Sequence, residues 1–496
     1  MIKKCLLLCL LLFALGSVNA VDINYDLEQS DFDSGAVAIN SPGEYYLTGN
    51  IASPNGIEIY SDDVTLDGHG YSLTVTNSHG IQSGLHDNIT IKNVVLNVTT
   101  SSSDRYSISF TGIMNSKILN NTVISNGNYA IYYYGSENTT ISANTITAGY
   151  DGIYIGSSSE NTTISGNTIT AESDGIYVIG SSIVTGNKIT SEYGIDVNGK
   201  SMVTGNTINV YDIGIDCDGS NSEITGNTIT TTYEEGWGIE IETNNCTVLE
   251  NTIYSNYSMD LDGYNLTVAN NTLTSGIYFD SGIWTSEVSA NTINGKPIYF
   301  YKNEENIGEI PSDAGQIIII NCTNGQISNL NLDEKAEVIY ITNSSGITVE
   351  NCTINPAIIE DYYIYIENSE NCEFTKNTFN VSKSNVVGGI WAEDVNNITI
   401  SENRFDGIYV ALEGDYFTNS SVFNNIFENI SPVPLAFEGN CSETYVYLND
   451  FLNCNWDEVE FETIVTFNSP TNVSYAYNGT VYSGIAGNYW SDYNET

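Results

Sequence analysis

Through the middle of this chain a buried-looking aliphatic residue stands three positions before and two positions after a recurring Asn, with polar residues between. The Asn falls at Asn121, Asn144, Asn167, Asn187, Asn206, Asn227, Asn251, Asn271 and Asn291, at steps of 23, 23, 20, 19, 21, 24, 20 and 20 residues. The aliphatic residue before it is Ile118, Ile141, Ile164, Val184, Val203, Ile224, Val248, Val268 or Val288. Each copy of Asn-Thr-Ile therefore sits in a period-two alternation, which predicts a strand and fits no helix. A coil of about 20–24 residues built from short strands rises one strand spacing, about 4.8 Å, per turn. The pattern predicts an all-β parallel β-helix. A leucine-rich repeat of similar period needs Leu at fixed positions, whereas Ile, Val, Thr, Asn, Gly and Tyr dominate here. The Asn is expected to turn inward at a corner, where stacked amides supply one another's hydrogen bonds.

The same pattern divides the chain. Residues 1–20, with Lys3, Lys4 and the apolar run Cys5 to Leu15 before Ala20, predict a signal peptide. Residues 21–50 predict an N-terminal cap over the open end of the solenoid. Coils run over 51–295, and an excursion over 296–316 breaks the period at Asn294-Gly295-Lys296-Pro297. The helix continues over 317–456, with Asn377, Asn403, Asn425 and Asn449 as corners and Cys352 in place of Asn one coil earlier. Residues 457–496 lack a clear repeat and predict a C-terminal cap. No later segment is long and apolar enough for a transmembrane helix.

The coil motif, the Asn294-Gly295-Lys296-Pro297-Ile298-Tyr299 break, the Gly315-Gln316-Ile317 restart and the terminal Gly487-Asn488-Tyr489-Trp490-Ser491-Asp492-Tyr493 resemble the NosD-like right-handed β-helix proteins, especially archaeal secreted ones. The resemblance covers nearly all of the chain after the signal peptide and implies a right-handed solenoid. It implies little about activity, because the fold is shared by carbohydrate-binding and sugar-hydrolysing proteins. Copper, which the family name suggests, calls for His, Met or Cys clusters, and the only histidines are His69, His79 and His86.

Composition narrows the partners. There are 61 Asp plus Glu against 13 Lys plus Arg, a net charge of −48, and loss of Lys3 and Lys4 takes it to about −50. Nucleic acid is excluded as a natural partner, while solubility and attraction of cations follow. Seven cysteines remain after cleavage, with no CxxC pair, and read mainly as small core residues, with one or two disulfides open to an oxidising compartment. Many Asn-x-Ser/Thr sequons, such as Asn138 and Asn161, allow for a glycoprotein.

Between the Asn corners lies a second strand, Gly-Ile-x-Ile or similar, whose x faces outward. Read coil by coil, x is Tyr132, Tyr154, Tyr177, Asp196, Asp216, Glu240, Asp260 and Tyr278, and the next outward position reads Asn198, Asp218, Glu242 and Asp262. Seven carboxylates on adjacent rungs repel one another. Relief through Ca²⁺ binding to Asp196, Asp216, Asp218, Glu240, Glu242, Asp260 and Asp262, raised carboxyl pKa values, and simple solvation all remain open. Further on, Tyr340, Tyr365, Trp391 and Tyr409 predict an outward aromatic row, suited either to cross-strand packing or, with Tyr132, Tyr154 and Tyr177, to stacking on sugar rings. Gly68-His69-Gly70 resembles the Gly-His-Gly of polygalacturonase-like hydrolases, but no companion motif accompanies it, and neither arginine falls in the acidic block.

The expectation is a secreted, surface-associated β-helical protein that binds a polysaccharide or cell-envelope glycan without catalysis, as an adhesin or structural element. The alternative is a polysaccharide hydrolase or lyase using Asp196, Asp216, Glu240 and Asp260, whose rung spacing suits a pair of catalytic carboxylates.

Overall fold

The computed structural model describes residues 24–491, apart from 101–104, 127, 158, 280–281, 356–359, 381–385, 456–463 and 478. The signal peptide lies outside the described residues. The chain divides into two compact units, Met1–Lys188 and Ile189–Thr496. Both are all-β. Among the described residues the only helices are the 3₁₀ turns Gln29–Phe32 and Ile283–Thr285.

In the first unit the parallel strands Lys117–Leu119, Thr140–Ser142 and Thr162–Ser165 set Ile118 beside Ile141 and Ile141 beside Ile164, all fully buried. Thr122–Asn126, Thr145–Ala148 and Thr168–Ala171 do the same for Val123, Ile146 and Ile169. Stacking like on like removes each methyl-bearing side chain from water on both sides, so every coil needs its neighbours. At the N-terminal end Asn24–Leu27 pairs with Gly43–Leu47, and the turn between them buries Phe32.

Between the two strand sets runs the Asn ladder. Asn121 donates its backbone N–H and one side-chain N–H to Asn144 Oδ1 at 2.9 and 3.0 Å, and the other side-chain N–H to Ile91 O at 3.0 Å. Each amide thus ties three successive coils together and is itself satisfied. The pattern repeats through Asn167 to Asn187 in the first unit, and from Asn206 through Asn227, Asn251 and Asn271 to Asn291 in the second. The residue before each ladder Asn from Asn121 to Asn449 takes a positive φ. Gly166, Gly186, Gly205 and Gly226 do so at no steric cost, but Ala143 (56°), Glu250 (56°), Ala290 (54°) and Leu448 (55°) occupy the same corner.

In the second unit the first set of coils ends in a reversal. Thr292–Ile293 pairs antiparallel with the start of Lys296–Lys302 across Asn294-Gly295, whose φ values are 49° and 83°. Residues 296–316, expected as an excursion, already hold strands: Lys296–Lys302 and Glu305–Glu309 pair in parallel with Gln316–Ile320 and Thr323–Ser328. A second set of coils follows, with its own ladder from Asn377 through Asn403 and Asn425 to Asn449. Two residues after each ladder Asn, the aliphatic spine is replaced by Phe379, Phe405, Phe427 and Phe451, fully buried or nearly so and stacked 4.4–5.2 Å apart. The terminal Gly-Asn-Tyr-Trp motif is the last rung of this set. Asn488 accepts from Asn449 at 3.0 Å, and Trp490 stacks on Phe451 at 4.4 Å.

All seven described cysteines are buried and unbridged. Cys352 fills a ladder position, its thiol reaching Ile327 O at 3.8 Å where an amide would bond more strongly.

Candidate functional site

The outward positions form three stretches, and their chemistry differs. In the first unit Tyr132 lies beside Tyr154 and Tyr154 beside Tyr177, in the register read from the sequence. Their rings stack at 5.2 and 5.1 Å, both with a 4° interplanar angle, and Tyr106 extends the stack at 4.4 Å. Rings lying flat on one another cover each other's faces, so this row offers edges and hydroxyls rather than a stacking platform. Tyr129 packs edge-on against Tyr154 and Tyr150. Close by, Asp151 is 3% exposed; its carboxyl accepts from Asp174 N at 3.2 Å and is pushed up to about 7, first by burial and then by the Asp174 charge.

The second stretch is the acidic column. Asp196 pairs with Asp216, Asp216 with Glu240, Glu240 with Asp260, and Asp260 with Tyr278. The four carboxylates are half-buried, while Asp218, Glu242 and Asp262 are exposed and Tyr278 is buried. Burial is the largest cause holding Glu240 up at about 7, followed by Asp216, Asp260, Asp212 and Glu242. Among the described residues no group of three or more His, Cys, Asp or Glu converges to hold a metal ion. The seven residues put forward for Ca²⁺ share one face, but side chains on successive rungs project in parallel, about 4.8 Å apart, rather than toward a common centre. Three residues ahead of the carboxylates, Trp237 and Tyr257 pair at 4.7 Å, and Tyr278 meets Trp237 edge-on at 5.3 Å. The signal for this aromatic flank in the sequence is an aromatic residue three positions before the carboxylate, in Trp-Gly-Ile-Glu and Tyr-Ser-Met-Asp.

The third stretch combines both chemistries. Tyr340 pairs with Tyr365 and Tyr365 with Trp391, as expected. Tyr409 does not continue the row. Leu412 faces Ile390 and Glu413 faces Trp391, because the strand Val410–Asp415 begins after Tyr409, which lies on the preceding turn and is 39% exposed. The rings are tilted rather than flush: 33° at 6.4 Å for Tyr340–Tyr365 and 32° at 5.3 Å for Tyr365–Trp391. Tyr362 stands edge-on to Tyr365 and Trp391, and its hydroxyl bonds Glu413. Two residues along each strand runs a second column, Glu367, Glu393, Asp415 and Glu438, which the sequence reading missed. Tyr340 donates its hydroxyl to Glu367 at 2.7 Å. Burial and then Glu367, Asp415 and Asp394 raise the Glu393 carboxyl.

A ladder-held stack of parallel coils with outward columns of this kind defines a right-handed parallel β-helix, and residues 51–208 match the family model described as right handed beta helix region. Residues 298–495 match the model described as periplasmic copper-binding protein (NosD). The two matches together support a NosD-like right-handed β-helix family for the chain. Copper does not fit its donor set: residues 298–495 contain no His or Met, and the five cysteines there are buried, with no three of them converging among the described residues. No curated protein matches the chain in sequence. Solved structures similar to it include DFA-IIIase from Arthrobacter chlorophenolicus A6 without its lid (12% identity, 60% of this chain and 94% of that one, TM-score 0.37). Two others are the PL6 family alginate lyase AlyGC (9%, 94% and 100%, 0.35) and the tailspike protein of E. coli bacteriophage HK620 as a double mutant (10%, 83% and 80%, 0.25). Among the described residues no helix is long and apolar enough to cross a membrane.

Proposed function

We propose that the protein is a secreted, surface-associated glycan-binding β-helix that acts without catalysis, and that its binding face is the Tyr340–Tyr365–Trp391 row with the Glu367–Glu393–Asp415 column beside it. The observation that carries this reading is the tilt of the three rings next to a line of carboxylates. Tilted, half-buried rings leave apolar faces for the C–H faces of sugars, and carboxylates two residues away accept sugar hydroxyls. The net charge of −48 opposes uronic or sulfated polymers, so the ligand is a neutral envelope glycan laid along the coils.

Affinity electrophoresis in gels containing neutral polysaccharides tests this. Trp391→Ala is expected to lose retardation while keeping its melting temperature within a few degrees. Retardation unchanged in Trp391→Ala, together with a large loss of stability, would mean that the row serves packing alone.

A second reading, hydrolysis at the acidic column, has one feature in its favour: Glu240 lies between Asp216 and Asp260 with its carboxyl pushed up to about 7, first by burial, the arrangement of a general acid beside a carboxylate. Release of reducing ends that disappears in both Asp216→Asn and Glu240→Gln would establish it over the binding role.

A further inference from the structure

The reversal at Asn294-Gly295 leaves a cleft in the second unit. The strands Thr228–Thr231, Thr252–Tyr254 and Thr272–Leu273 shorten from four residues to three to two as they approach it. The turn Asp333–Lys335 returns over the shortened edge, where Gly276 N donates to Lys335 O at 2.6 Å. Gln316 clamps the same edge, its side-chain N–H on Ile277 O at 2.8 Å and its carbonyl accepting from Ile277 N at 3.1 Å. Between the edge and the turn lies an open cavity of about 540 Å³, within the size range of small-ligand sites.

Its lining is unlike the rest of this acidic surface. Lys296 takes up both nearby carboxylates, at 2.5 Å from Asp333 and 2.8 Å from Glu334, and Asn294 bonds the second Glu334 oxygen at 2.7 Å. Lys335 is held by a neutral group, Asn256 Oδ1, at 2.7 Å. With Lys296, which pairs both carboxylates from outside the lining, two ammonium groups and two carboxylates balance. Tyr254 stands in the wall, 50% exposed and in register with Thr230, and among the described residues no other aromatic ring packs on it. The cleft thus offers N–H donors from Lys335, hydroxyl and carbonyl groups from Thr230 and Asn294, and an open ring face. An apolar ligand would leave those polar groups unpaired, and a charged one would meet no net opposite charge.

We propose that this cleft binds the mono- or disaccharide end of a neutral glycan, with the sugar ring on Tyr254 and its hydroxyls bonded by Lys335 and Asn294. The site is separate from the Trp391 row and stands or falls without it. The test is titration of the protein with D-glucose, D-galactose and maltose, followed by ligand-observed NMR, with D-glucuronate and D-glucosamine as charged comparators. At least one neutral sugar is expected to bind at about millimolar strength, the range for so small a ligand. Tyr254→Ala and Lys335→Met are each expected to weaken it tenfold or more, and Tyr60→Ala, an exposed ring outside the cleft, to leave it unchanged. Lys335→Met could also loosen the turn, so the exposed Tyr254→Ala, with a melting curve matching the parent, decides the matter. Failure of all three neutral sugars to saturate, equal or tighter binding of either charged sugar, or undiminished binding in Tyr254→Ala overturns the proposal.

Discussion

Asn449 hands its side-chain N–H to Asn488 across 39 residues, and that 3.0 Å bond closes a ladder in which every preceding amide also reaches back to a carbonyl of the previous coil. An interior rung therefore holds more than a terminal one. Asn403→Ala removes the acceptor of Asn377 N and Nδ2 and the donors to Phe374 O and Asn425 Oδ1, all buried. Urea melts are expected to place it about 3–5 kcal/mol below the parent, with Asn488→Ala costing less than half of that. Equal losses would show that the ladder is not cooperative along its length.

The corner before each ladder Asn gives a prediction of opposite sign. Ala143 and Ala290 are exposed and sit at φ of 56° and 54°, where a Cβ is strained and Gly is not. Ala143→Gly and Ala290→Gly should each stabilise by about 0.5–1 kcal/mol, the relief of strain outweighing the extra freedom of the unfolded chain. A lowered melting temperature in both would contradict this.

Stability should fall as pH rises toward neutrality. Asp151 and Glu240 both titrate at about 7 in the folded chain, above the ordinary carboxyl range. From about pH 4 to 7 the folded state keeps protons that the unfolded chain has released, so the folded state is favoured at the acidic end and the advantage is lost as pH climbs through 7. Melting temperatures at pH 5 and 7.5 should therefore differ in that sense, and Asp151→Asn combined with Glu240→Gln should shrink the gap. An undiminished gap would assign it to general charge repulsion.

The acidic column should respond to charge removal more than to calcium. Asp216→Asn with Glu240→Gln is expected to raise the melting temperature in metal-free buffer, whereas Glu160→Gln with Glu172→Gln, at exposed positions, should leave it unchanged. Millimolar Ca²⁺ should shift the parent by less than the first pair does, because the rungs present parallel carboxylates and no cage. A larger calcium shift that vanishes in Asp216→Asn with Glu240→Gln would instead establish a cation site.

The coil period and the inward amides were legible because both obey local spacing. The Asn must fall one coil apart to meet its neighbour, and the residue two after it must be apolar. The register of the Tyr and acidic columns followed from the same rule. Tyr409 was misplaced because Ile408 is buried and Tyr409 exposed, as alternation requires, yet both precede the paired strand, and only pairing with Ile390 shows that Leu412 is the true counterpart. The Glu367 column escaped notice for a related reason: it lies two residues beyond the rings and becomes a line only when strands of six to eight residues are aligned. Asn488 stands outside the period, so nothing local marks it as a rung. At Asn294-Gly295 the turn residues were plain, but the direction of the next strand depends on its partner.

The ladder also makes the length of the protein a matter of counting. Each interior Asn presents the same acceptor to the coil before it and the same donors to the coils on either side, so a coil removed or duplicated from one Asn to the next would rejoin without a misfit. The outward face would shorten or grow by one whole rung. A single residue inserted within a strand, by contrast, would turn the rest of that strand inside out, whereas the turns between strands already vary in length from coil to coil. On this plan length changes as a ruler is cut, in unit steps, leaving the end pieces at Phe32 and Trp490 untouched.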